Sequence, residues 1–67
     1  MIGITVNGER VERLEGITLA GLLDSLGLHP GRVAVEVDGE IVRQAGWAAT
    51  VLRAGAQVEI VQFVGGG

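Results

Sequence analysis

A chain of 67 residues with a net charge of −3 and no cysteine has room for one small core. It excludes disulfides, zinc–thiolate sites and thiol nucleophiles together. Its five basic residues are arginines spread from Arg10 to Arg53, and Trp47 and Phe63 are its only aromatics, so neither a phosphate-neutralising run nor a base-stacking platform for nucleic acid is present.

The apolar fraction is 48%, most of it Val, Ile, Leu and Ala, which is the composition of a folded domain rather than a disordered one. No basic start leads into an apolar run, and no apolar stretch approaches the ~20 residues of a membrane span. The expectation is a soluble, cytoplasmic protein.

In chain order, "IGITV" alternates, with Ile2, Ile4 and Val6 on one face, the period of a half-buried strand. Asn7-Gly8 predicts a hairpin turn, and the polar return strand "ERVERL" predicts an edge. Leu19, Leu22, Leu23 and Leu26 recur at helical spacing and predict one apolar stripe. Thr18 is placed to cap the start of that helix and Gly27 to end it. Gly21 inside the helix is either a site of close packing or simply tolerated.

"HPG" then breaks the chain. Val33, Val35 and Val37 share a strand face, and Asp38-Gly39 turns into "EIV". The aperiodic "RQAGWAATVL" predicts a short helical turn around Trp47. Ala54-Gly55 predicts a turn into the last strand, "QVEIVQF". Five strands and one helix make a two-layer α+β domain, because a single helix covers only one face of a sheet.

The chemistry-bearing side chains do not assemble into a catalytic set. Asn7-Gly8 and Asp38-Gly39 read as turns rather than ligand loops. His29, the only histidine, stands beside Pro30 with no carboxylate or serine near it in sequence, so it reads as a surface residue. Glu9, Glu12 and Glu15 belong to a solvated edge; Glu36, Asp38 and Glu40 flank a turn and lack further metal ligands. No glycine-rich phosphate cradle occurs. Trp47 is either a cap over one end of the core or a partner contact.

The last strand is more informative. Val58 and Ile60 share one face, and Glu59, Val61 and Phe63 the other. If the first face meets the helix, Val61 and Phe63 form an apolar patch on the open side, unless a loop, such as the one carrying Trp47, folds over them. Three glycines close the chain, Gly65 to Gly67. Without Cβ atoms they fit a channel too narrow for other residues, and they extend roughly 10 Å beyond the strand.

A chain of this length ending in Gly-Gly after a strand is similar to the ubiquitin-like sulfur carriers. It resembles most the ThiS family of thiamine biosynthesis, within the ThiS/MoaD superfamily. The resemblance runs through "VNGE", "LLDSLGL", "VAVEVDGEIV", Trp47, "RAGAQVEIV" and "GGG". One departure is Ala56, where family members often carry a polar residue. The resemblance implies a β-grasp fold: a mixed five-stranded sheet on one main helix, in the order ββαββ, short helical turn, β. It also implies a domain over residues 1–64 and a flexible tail over 65–67.

The same resemblance implies a protein that is a co-substrate rather than an enzyme, with no resident cofactor or metal, and monomeric when free. A ThiF-like adenylating enzyme would use ATP and magnesium to activate the Gly67 carboxylate. Sulfur from cysteine, delivered through a desulfurase, would displace AMP and leave a thiocarboxylate for ThiG, the thiazole synthase. Gly66 and Gly67 would be the functional residues, Gly65 would extend the reach, and Val61, Phe63 and Val64 would dock partners. The chemistry of the residues agrees: a carboxylate is a poor electrophile until activated, and a carrier without cysteine has only its chain end on which to hold sulfur. The small subunit of molybdopterin synthase, a carrier for tRNA thiolation and an inert ubiquitin-like interaction module are the alternatives.

Overall fold

The computed structural model describes residues 1–63. Strands β1 (Ile2–Val6) and β2 (Glu9–Arg13) form an antiparallel hairpin. Asn7 and Gly8 close it with φ of 49° and 83°, the positive values of a type I′ turn, whose twist matches that of the strands. Asp38 and Gly39 repeat the device at 51° and 85° between β3 (Val33–Val37) and β4 (Glu40–Ile41). Strand β5 (Gln57–Gln62) lies between the two hairpins, parallel to β1 and antiparallel to β3. The sheet order is β2-β1-β5-β3-β4, so the polar return strand is an edge and the last strand is central.

Helix α1 (Leu19–Ser25) begins where Thr18, still extended, accepts the Gly21 N–H through Oγ1 at 3.1 Å. It stops before Gly27, whose φ of +70° suits the left-handed position after a helix end. Leu19, Leu22 and Leu23 are buried, but Leu26 is 37% exposed, which corrects the expected four-residue stripe. The reason is length: the helix ends at Ser25 and Leu26 is its cap, so the next apolar residue to pack on the core is Leu28. Gly21 is a packing site, since a Cβ there would lie 3.3 Å from Cγ1 of Ile17.

The core joins Leu19, Leu22 and Leu23 to Ile4, Val33, Val35, Val58 and Ile60 of the sheet. Each such side chain contributes roughly 1.5–3 kcal/mol on burial. Trp47, Leu52 and Ala56 close the ends of this layer. Trp47 sits on a 3₁₀ helix (Gln44–Ala49), is 5% exposed, and donates its indole N–H to the Val42 carbonyl at 2.8 Å. It is a core cap. Ala56 is buried as well, which gives its departure from a polar residue a physical reason. β4 is shorter than "EIV": Val42 leaves the strand and packs toward the core. Among the described residues, no helix is long and apolar enough to cross a membrane.

Candidate functional site

The register of β5 decides what each face of the sheet offers. Val58 and Ile60 point into the core, so Glu59 and Val61 point outward. Across the β3–β5 ladder Val61 stands opposite Ala34 and Glu59 opposite Glu36; Glu36 is in turn opposite Ile41 on β4. These five residues line one shallow groove on the open face. Phe63, just past the strand, keeps the ladder going by donating its N–H to the Arg32 carbonyl at 2.8 Å.

Val61 and Phe63 are 59% and 56% exposed. The segment carrying Trp47 packs against α1, on the opposite side of the sheet, so it does not cover them. The face is an apolar strip, with Ile41 75% exposed at its far edge, interrupted by two carboxylates.

The backbone of β5 is held by both hairpin turns, a feature that reading them as plain turns misses. Asp38 donates its N–H to the Gln57 carbonyl at 2.8 Å, and its Oδ1 accepts the Gln57 N–H at 2.9 Å. Asn7 donates its N–H to the Val58 carbonyl at 2.8 Å. Its side chain then reaches one residue pair further: Oδ1 accepts the Ile60 N–H at 2.7 Å and Nδ2 donates to the Ile60 carbonyl at 3.1 Å. The available signal was that both turns open with Asn or Asp, side chains able to bond backbone as well as tolerate positive φ.

The other candidates separate from this site. His29 is exposed and caps the Pro30–Arg32 turn, its Nδ1 accepting the Gly31 N–H at 3.2 Å. Glu9, Glu12 and Glu15 are exposed on and beyond the edge strand. Among the described residues no three His, Asp or Glu side chains gather as metal ligands. Val64, Gly65, Gly66 and Gly67 lie outside the described residues, as does the expected boundary between domain and tail.

A helix laid across one face of a mixed five-stranded sheet, with the central strand last in sequence and an open apolar strip beside it, defines a ubiquitin-like β-grasp domain. A crystal structure of the thiamine biosynthesis protein ThiS from Geobacter metallireducens superposes with a TM-score of 0.82 at 33% identity, covering 98% of this chain and all of that one. The ThiS family model matches residues 4–67. The chain belongs to the ThiS family of ubiquitin-like sulfur carriers.

Two relatives are named thiazole synthase. That of Magnetococcus marinus is 44% identical over 64 residues, and that of Paramagnetospirillum magneticum 38% over 64. Each match takes in 96% of this chain but only 20% of the relative, so the chain spans about one fifth of their length.

Proposed function

We propose that this protein carries sulfur for thiazole formation in thiamine biosynthesis, on a thiocarboxylate at Gly67. The observation that carries the reading is the extent of the family match, which runs through the glycine triplet to residue 67. The thiazole synthases that contain a matching segment support a thiazole-forming partner over a molybdopterin or tRNA one, because a domain built into one enzyme's chain points to the same reaction.

The chemistry divides between chain and partners. A carboxylate oxygen of Gly67 attacks the α-phosphorus of ATP on a ThiF-like enzyme; pyrophosphate leaves and an acyl-adenylate forms. Magnesium and nucleotide belong to that enzyme. A sulfur nucleophile, drawn from cysteine by a desulfurase, attacks the carbonyl carbon and AMP leaves. The donor's persulfide is thereby joined to the chain as an acyl disulfide; a second thiol attacks the donor sulfur, forms a disulfide with it and releases a thiocarboxylate, which ThiG consumes. This chain supplies a thin arm, Gly65 to Gly67, and a docking face of Val61, Phe63 and Val64.

Intact-mass spectrometry tests the reading. With ATP, magnesium, an adenylating enzyme of the ThiF type and a sulfur source, part of the protein gains the mass of adenylate and then of one oxygen replaced by sulfur, both localised to the C-terminal peptide. A chain that stays unmodified under conditions that modify the Geobacter protein refutes it.

A further inference from the structure

We infer that Asn7 is a positioning residue for the C-terminal arm: its side-chain amide takes the place of a missing strand neighbour at Ile60. This rests on the carrier reading above. β1 ends at Val6, which pairs with Val58, while β5 runs on to Gln62. From Ile60 onward the β1 side of β5 would therefore be an unpaired edge. A carboxamide carries one acceptor and two donors in nearly the arrangement of a peptide group, and that of Asn7 bonds both the N–H and the carbonyl of Ile60.

The turn itself does not demand this side chain, since Gly-Gly makes a type I′ turn as well. The second hairpin shows the contrast. There an aspartate suffices, because Asp38 needs its side chain only as an acceptor; its own backbone N–H serves the Gln57 carbonyl. At the first hairpin the backbone N–H is already committed to Val58, so one side chain must both donate and accept. Among side chains that also tolerate positive φ, asparagine presents a donor and an acceptor side by side on one planar group, as a peptide does.

The consequence falls on the residues beyond Ile60. With Ile60 bonded from the β1 side by Asn7 and Phe63 from the β3 side by Arg32, the end of β5 is held on both edges, with Val61 outward. Released at Ile60, it is tethered from the β3 side alone. The end of β5 is then held by the β3 ladder and the Arg32 bond only, and docking must restrict it further.

Asn7→Gly keeps the turn and removes the amide. In ¹⁵N relaxation and hydrogen exchange on the free protein, Ile60 is expected to exchange at least tenfold faster. The order parameter of Phe63 should fall from about 0.85 toward 0.6, while those of Leu22 and Val35 stay unchanged. With the adenylating enzyme, KM rises about three- to tenfold, the loss of two modest hydrogen bonds, and kcat holds because a seated arm is positioned by the enzyme's channel. Asn7→Asp, which keeps the turn and one acceptor, provides the same comparison if the glycine variant is poorly folded; it too raises KM. An unchanged Phe63 order parameter or an unchanged KM in a folded variant overturns the inference. Failure of the wild-type protein to be adenylated would instead overturn the carrier reading and leave the relaxation result standing.

Discussion

Glu36 and Glu59 stand directly opposite each other across the β3–β5 ladder, on the same open face as Val61. Like charges in that position destabilise a sheet. Glu59→Gln should stabilise the domain by up to about 0.5 kcal/mol at low ionic strength, with the gain shrinking as salt screens the exposed pair. Urea midpoints measured at low and high salt check this; a gain that does not depend on salt would mean the glutamine acts by something other than charge.

Val61 and Phe63 are exposed, so polar replacements should leave stability within about 0.5 kcal/mol. Val61→Ser and Phe63→Ser are expected to weaken docking to the adenylating enzyme by tenfold or more, since a few apolar residues carry most of an interface's energy. Titration calorimetry against the enzyme, beside thermal melts of the same variants, separates the two effects. Equal affinity in both variants would remove this face from the docking surface.

Gly66→Val tests the width of the arm. Its branched side chain should block adenylation while leaving the melting temperature unchanged, because the position follows the end of β5 at Gln62. Adenylation at the wild-type rate would show that the receiving channel tolerates a branched side chain.

Trp47 belongs to the core, and its loss should be felt there. Trp47→Ala is expected to cost about 3–5 kcal/mol, comparable with the whole stability of so short a chain. Trp47→Phe keeps an aromatic ring but leaves the Val42 carbonyl without its donor, at about 1–2 kcal/mol. Denaturant titration of both variants gives the two values; a phenylalanine variant as stable as wild type would show that the carbonyl finds another donor.

The strand faces are legible in the sequence because period-two alternation survives burial: Val33, Val35, Val58 and Ile60 point where the pattern places them. Thr18 and Gly27 bound the helix because their local chemistry acts within a few residues. Periodicity misplaces Leu26 because it does not report where a helix stops. Ala56 and Leu52 are not legible as core residues, since each lies outside any periodic segment and is buried only by the tertiary arrangement. The bonds from Asn7 to Ile60 join residues 53 positions apart. No local rule connects them; they require knowing that β5 inserts beside β1.

Strand β5 is the last of the five to be synthesised, yet among the described residues no strand pairing joins the β1–β2 hairpin to the β3–β4 hairpin except through it. While the chain is still emerging from the ribosome, the two hairpins have no seam between them. The sheet closes only when residues 57–62 are free to insert. A chain that stops short of β5 lacks the one strand that pairs with both hairpins. Central placement of the final strand ties closure of the sheet to residues 57–62, the last strand before the glycines.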